Sequence, residues 1–249
     1  MKKLLRIFLV LVVIVVLAVV AVAYFMGSII KTGVETFGPK VAKVETKLDS
    51  ANISFLSGKG SLKGIFVGNP EGFKAPSAIK VGEVSVALKP ASVFSDKIVI
   101  ESVQIVGPEI TAFGLGADNL RKILDNLQAS TGGSGTQPTG TNKTDQAAGK
   151  KLQVDDFLIK DGKVNVILPV VGTATVPLPT IHLTGLGQDA NGITGGELAN
   201  RVMKAVLDGV LASAKDLTKS GGKLFQGVGK EAGGAAEKVT KGLGDLFKK

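Results

Sequence analysis

The sequence predicts an α+β fold, in which an N-terminal transmembrane helix precedes a curved, groove-like antiparallel β-sheet with amphipathic helices. Three observations predict it. The first is a long uncharged apolar run near the N-terminus. The second is a series of segments with the two-residue apolar period of β-strands, and the third is a pair of later segments with helical apolar spacing.

The apolar run covers 20 residues, Ile7 to Met26, and carries no charge. It follows three basic residues, Lys2, Lys3 and Arg6. A helix of this length spans the ~30 Å hydrocarbon core of a bilayer, and the basic flank predicts a cytoplasmic N-terminus with the rest of the chain exported. A cleaved signal sequence is the alternative, since Ala21 to Ala23 resemble a cleavage site. Because the run exceeds the ~7–15 apolar residues of a signal peptide core, we expect an uncleaved anchor.

Strand patterns follow the anchor. Gly27 to Phe37 are expected to continue the first helix, and Gly38-Pro39 to end it. The residues that alternate as one apolar strand face are Ile53 and Phe55; Val84, Val86 and Leu88; Ile98 and Ile100; Val164, Val166 and Leu168; and Val176 and Leu178. The alternation slips between Ile100 and Val103 and again between Ile105 and Ile110, which predicts bulges and strong curvature. Asp161-Gly162 predicts a hairpin turn.

Two helices are predicted after the anchor. The first is capped by Asp118 and carries an apolar stripe of Leu120, Ile123, Leu124 and Leu127. The second begins with capping-box spacing between Thr194 and Glu197. Its stripe consists of Leu198, Val202, Val206, Val210 and Ala214.

Composition divides the chain into five parts: an anchor (1–26), a strand-rich module (27–129), a flexible linker (130–150), a strand and helix part of the same sheet (151–216), and a basic glycine-rich tail (217–249). The tail has the pattern of an amphipathic segment that an anionic bilayer could organise. Its candidate membrane contacts are Phe225, Val228, Val239, Leu243, Leu246 and Phe247. A solvated tail without a function is the alternative.

Charge and motifs argue against nucleic-acid binding and catalysis. The net charge of +9 is concentrated at the two ends, so the body lacks a polyanion-binding surface, and cysteine is absent. Ser57 to Phe73 is glycine-rich but lacks the spacing of a phosphate-binding loop, and predicts a strand and a turn. His182 is the only histidine and is expected on the solvent face of its strand, while Asp155 and Asp156 should point to opposite faces. We expect no enzyme activity, cofactor or metal site.

Five stretches of the sequence carry a family resemblance. The anchor, then GPKVAKVETKLDSANISFLSGKGSLKGIFVGNPEGF, then VGEVSVALKPASVFSDKIVIESVQIVGPEITAF, resembles the N-terminal module of AsmA-like envelope proteins of the AsmA/TamB type, over residues 1 to about 129. LIKDGKVNVIL and ATVPLPTIHLTGLG are similar to strand repeats further along that family. The resemblance implies a short member in the inner membrane, with its bulk in the periplasm. The chain departs from the larger, bridge-like members in lacking their long strand array and in ending with a basic tail.

The function implied is non-catalytic lipid handling: phospholipid binding or transfer that maintains the outer membrane. The lipid bilayer and a bound phospholipid are the expected partners. Candidate groove residues are Val84, Val86, Leu88, Ile98 and Ile100. Two alternatives stay open, namely that these residues are filled core, and that the protein is a scaffold that binds other envelope proteins.

Overall fold

The computed structural model describes residues 27–54, 57–131, 150–168, 172–189 and 191–224. The helices in these ranges are α1 (residues 27–42), α2 (Asp118–Thr131) and α3 (Gly195–Leu224). The strands are β1 (Thr46–Ile53), β2 (Lys59–Val67), β3 (Ile79–Leu88), β4 (Lys97–Val106), β5 (Glu109–Phe113), β6 (Lys151–Lys160), β7 (Lys163–Leu168), β8 (Gly172–Pro177) and β9 (Ile181–Leu186). A 3-10 turn, Pro90–Phe94, connects β3 to β4.

Both predicted membrane segments fall outside the described residues. These are the anchor, Ile7 to Met26 with Lys2, Lys3 and Arg6, and the tail contacts from Phe225 to Phe247. Among the helices that the structure does describe, none is long and apolar enough to cross a bilayer.

The nine described strands form one curved, open sheet of mixed direction. Three long kinked strands each consist of two consecutive elements: β4/β5, β6/β7 and β8/β9. From one edge to the other, the order of neighbours in the sheet is β1, β2, β3, β4/β5, β6/β7 and β8/β9. The pair β4/β5 runs parallel to β6/β7, and each residue lies opposite the one 54 positions later, from Lys97 and Lys151 to Phe113 and Ile167. The prediction of a wholly antiparallel sheet is therefore wrong. After β5 the chain passes through α2 before β6 begins, and such a crossover lets two strands run parallel.

The predicted hairpin at Asp161-Gly162 is also wrong. β6 pairs with β4 and β9, β7 pairs with β5 and β8, and the chain keeps its direction through the two residues. A two-residue hairpin turn of the favoured Asn-Gly or Asp-Gly type needs a positive φ at both positions. Asp161 has a φ of 56°, but the φ of Gly162 is not positive. The dipeptide therefore makes a kink and not a hairpin turn. The chain reverses instead between β7 and β8.

Both predicted slips in strand phase are present, but only the first is a bulge and the second is a kink. Ala87 on β3 pairs with Ser102 on β4, but the next residue, Leu88, pairs with Ile100. Glu101 is therefore the extra residue of a bulge. Between β4 and β5 the backbone kinks at Gly107, whose φ is 63°. Since the register of β3 against β4 resumes unchanged against β5, the kink bends the strand without ending the ladder.

Helix α1 continues past Gly38-Pro39 to residue 42, so the predicted end is wrong. Ala42 is buried in the core, and the N–H of Lys43 donates to the carbonyl oxygen of Pro39 (3.1 Å). Gly38 serves close packing, because a Cβ atom there would lie 2.7 Å from Cβ of Thr46. The helix ends at Lys43, which has a left-handed φ of 55°.

Helix α1 lies along the edge of β1 that no described strand occupies. The N–H of Leu48 donates to the carboxylate of Glu35 (3.4 Å), and the Lys31 amino group donates to the carbonyl oxygen of Asp49 (3.3 Å). Nearer the start of α1, a Cβ atom on Gly27 would collide with the carbonyl oxygen of Ala51. The helix is therefore antiparallel to β1, and it protects an edge that could otherwise pair with another chain.

The two later helices form where the sequence predicts them. In α2 the predicted stripe is buried, and at the start of α3 the N–H of Thr194 donates to Glu197 (2.6 Å) while the N–H of Glu197 donates to Oγ1 of Thr194 (3.1 Å). This hydrogen bond from the Thr194 backbone holds the pKa of Glu197 below its usual value. The α2 and α3 helices pack against each other, with α2 on β5 and α3 on β6 to β9.

A buried asparagine fixes α2 to the sheet. Asn119 is fully buried; its Oδ1 accepts from the N–H of Phe113 (3.0 Å), and its Nδ2 donates to the carbonyl oxygen of Thr111 (2.8 Å) and to Oδ1 of Asn69 (2.7 Å). Every polar atom of the side chain thus has a partner, as a buried amide requires. The network also fixes the loop between β2 and β3.

Candidate functional site

Continuous apolar rows cross the inner face of the sheet, the face towards α2 and α3. The cross-strand register sets one row as Ala51, Leu62, Val84, Ile105, Ile159 and Ile181. The next consists of Ile53, Gly60, Val86, Val103, Phe157 and Leu183. Nearer the sheet end come Leu88, Ile100, Val154 and Leu186. The rows run without interruption from strands under the helices to strands beyond them.

Helix cover divides this face into two regions. The β5–β9 half lies under α2 and α3, whereas neither helix packs extensively on the inner face of β1, β2 or β3 within the described residues. We call the inner face of β1 to β4 the β1–β4 half. It holds all five candidate groove residues. Among them Leu88 and Ile100 are direct cross-strand partners on β3 and β4.

The burial of these five residues is mixed. Val84 and Leu88 are buried, with 3% and 8% of their surface exposed. Val86, Ile98 and Ile100 are only half-buried. The surface between Val86 and Ile98 is therefore apolar, partly accessible and supported by buried neighbours.

The match to known proteins adds to this geometry. The family model of the AsmA family matches residues 1–175, which is more than half of the chain. The chain belongs to the AsmA family. The match extends beyond the resemblance seen in the sequence and ends within β8, so it includes α1, α2 and the sheet as far as β7. Comparison with curated proteins and with solved structures finds no match.

The histidine of this AsmA-family chain has an acidic neighbour that its sequence spacing does not reveal. His182 is exposed, as predicted, and its Nε2 lies 2.5 Å from Oδ1 of Asp156. The two residues are diagonal neighbours on β9 and β6. Asp155 accepts instead from Nε2 of Gln153 (2.7 Å), so the two adjacent aspartates have separate partners. Among the described residues no cluster of three acidic or histidine side chains could hold a metal.

The glycine-rich stretch has the predicted structure. Lys59–Val67 is β2, and after it the N–H of Phe73 donates to the carbonyl oxygen of Pro70 (3.2 Å) in a turn. A phosphate-binding loop would lead into a helix, whereas this stretch leads through the turn into β3. In the AsmA-family chain it therefore supplies a strand of the β1–β4 half.

A shallow open depression of about 480 Å³ lies at the kink of β6/β7, away from the candidate groove residues. Asp161, Lys163, Thr175 and Thr180 line it together with Val176 and Leu178. The lining is mixed, with charged and hydroxyl side chains beside apolar ones, and the depression is separate from the candidate groove.

Proposed function

We propose that this AsmA-family protein is a non-catalytic, membrane-anchored envelope protein that binds phospholipid on the β1–β4 half. The single-pass inner-membrane topology and periplasmic location are part of the proposal. What supports it best is that the apolar rows continue past the helix-covered strands onto Val86 and Ile100. These two side chains stay half-buried, as does Ile98, two residues before Ile100 on β4. A sheet that served only as core would gain from covering these side chains, since burial of apolar surface is favourable.

The binding step needs no catalytic group. Acyl chains would lie along the rows and replace water over apolar side chains, at roughly 25 cal/mol for each Å² removed from water. The polar headgroup would stay at the sheet end, where Leu88 and Ile98 lie close to the turn Pro90–Phe94. This division follows the chemistry of a lipid, whose charged part is costly to bury.

Photo-crosslinking in the full-length protein tests the site. A photoreactive residue at Val86 should form an adduct with phospholipid in native membranes, detected by mass spectrometry. The matched control is Ser85, the preceding residue of β3, which is exposed on the outer face and should form none. Equal adducts at both positions, or none at Val86 with the fold intact, would contradict lipid binding on this face.

A scaffolding role is the second candidate, and an exposed stripe on α1 favours it. Ile29 and Phe37 are 60% and 58% exposed, and between them a Cβ atom on Gly33 would meet no atom within 4 Å. These three residues repeat at four-residue steps, so they share one helix face that a partner helix could cover. Since the chain has no cysteine, Gly33→Cys provides a unique thiol. Protection of that thiol from labelling in cells but not in the purified protein would favour the scaffold.

A further inference from the structure

Among the described residues, Phe94 is the most exposed large apolar side chain, with 90% of its surface accessible. It ends the 3-10 turn Pro90–Phe94 between β3 and β4. Single exposed apolar residues are common, so it is the surroundings of Phe94 that make it informative. A phenylalanine presented almost wholly to solvent calls for an account of what it contacts.

The turn that carries Phe94 is braced by hydrogen bonds. The hydroxyl of the buried Ser92 donates to the carbonyl oxygen of Lys89 (2.6 Å) and accepts from the N–H of Val99 (2.9 Å). The hydroxyl of Ser95 donates to the carbonyl oxygen of Ser92 (2.8 Å), and the Lys150 amino group donates to that of Val93. These bonds hold the backbone of the turn, and the turn carries the Phe94 ring on its solvent side.

Lysines surround the turn. One end of the sheet is formed by residues 57–59, 89–97, 150–151, 187–189 and 191–192, and we call it the Phe94 end. The register of β2 with β3 and of β4 with β6 connects these segments. The lysines of the Phe94 end are Lys59, Lys89, Lys97, Lys150 and Lys151. Its acidic residues are Asp96 and Asp189, and Glu197 approaches Lys151 from the start of α3. The Phe94 end is thus basic around an exposed aromatic ring.

The first described turn of α1 lies at this same end. Gly27 contacts Ala51, two residues before β1 ends beside the start of β2. In the sequence, the apolar run Ile7 to Met26 immediately precedes Gly27. A bilayer that held this run would therefore adjoin the Phe94 end, and Phe37 would lie about 15 Å further along α1 at ~1.5 Å per residue.

We propose that the Phe94 end docks on the anionic surface of the anchoring bilayer, with the Phe94 ring in the interfacial layer and the lysines over lipid headgroups. The proposal rests on the membrane anchorage of the proposed function. Aromatic side chains favour the membrane interface, and each lysine near an anionic surface shifts the docked population by about fivefold. Docking would also bring Leu88 and Ile98 next to the bilayer, so that a lipid could pass between it and the β1–β4 half.

Tryptophan fluorescence in the full-length protein tests the contact, because the chain has no native tryptophan. The Phe94→Trp protein is reconstituted in bilayers that contain an anionic phospholipid and a lipid brominated on its acyl chains. Its emission should shift to the blue and be strongly quenched by the brominated lipid. The matched control is Phe37→Trp, at an exposed phenylalanine of α1, which should respond to an aqueous quencher and little to the brominated lipid.

Charge reversal in the same reporter separates docking from chance proximity. Lys89→Glu should reduce quenching of the Phe94→Trp protein by brominated lipid. Replacement of the anionic lipid by a neutral one should have the same effect. The control Lys74→Glu, in the distant β2–β3 loop, should leave the quenching unchanged. Equal quenching of the Phe94→Trp and Phe37→Trp proteins would overturn the proposal. So would protection from the aqueous quencher without quenching by lipid, which would indicate a protein partner. Crosslinking at Val86 reads out lipid binding independently, so either proposal can fail alone.

Discussion

The β5–β9 half and the β1–β4 half share one sheet and one set of apolar rows, yet only the first lies under α2 and α3. Ile110 on β5 is 1% exposed, whereas Ile98, on the same long kinked strand, is half-buried. The same residue type in the same strand is thus core in one half and an accessible surface in the other. Apolar alternation marks the inner face of a sheet, but the helices that follow decide which part of that face is closed.

The sharpest test of this contrast compares two alanine substitutions. Ile110→Ala should lower the free energy of unfolding by about 2–5 kcal/mol, because it leaves a cavity under α2. Ile98→Ala should cost about 1 kcal/mol, since its side chain is already partly exposed. Chemical denaturation followed by circular dichroism measures both. Equal losses would mean that the β1–β4 half is closed core.

The N-terminal cap of α3 can be tested separately, because α3 is one of the two helices that cover the β5–β9 half. Thr194→Ala removes one hydrogen bond of the capping box and should cost about 1 kcal/mol of stability. Glu197→Gln should be milder, and its effect should depend on pH. Because the folded-state pKa of Glu197 is lowered below 4.5, its charged form stabilises the protein above that pH, and the contribution disappears as the pH falls through the folded-state value.

Unfolding curves of the wild-type and Glu197→Gln proteins should therefore differ at neutral pH and converge in strong acid. If the difference in unfolding free energy were the same at every pH, the charge of the Glu197 carboxylate would not contribute to stability. Crosslinking of lipid at Val86 should be unaffected by either variant, because the cap lies outside the β1–β4 half.

The smallest expected effect concerns the kink between the halves. Gly107→Ala should cost about 1 kcal/mol from backbone strain alone, since its φ is 63° while the nearest atom to a Cβ there would be 3.9 Å away. Gly82 on β3 also has room for a Cβ, but it has no positive φ. Gly82→Ala should therefore be neutral or slightly stabilising. If both variants behave alike, the left-handed backbone is not what sets the kink.

Local features of the fold are predictable from the sequence, while strand partners are not. The stripe of α2, the capping box at Thr194 and Glu197, the bulge at Glu101 and the kink at Gly107 depend on neighbours in sequence. The parallel pairing of β4/β5 with β6/β7 depends on where α2 returns the chain. Asp161-Gly162 has the composition of a turn in either arrangement, and only the tertiary structure decides that it kinks a continuing strand.

The candidate site divides in the same way. Val84 to Leu88 and Ile98 to Ile100 are recognisable as apolar strand faces, but their cross-strand neighbours and the extent of helix cover are not readable from spacing. The exposure of Phe94 cannot be predicted from the sequence, because KPASVFSDK has no periodicity that separates an exposed ring from a buried one. The pairing of His182 with Asp156 likewise arises only from the register of β6 with β9.

The alignment of α1 with β1 has a mechanical consequence. The contacts of Gly27 with Ala51, Lys31 with Asp49, and Glu35 with Leu48 follow one another along the strand direction. A pull on the chain at Gly27, directed out of the Phe94 end, would load these contacts together in shear and would not peel them apart one by one. Bonds loaded in parallel share the tension, so the first strand of the sheet is well placed to resist forces transmitted from the N-terminal side.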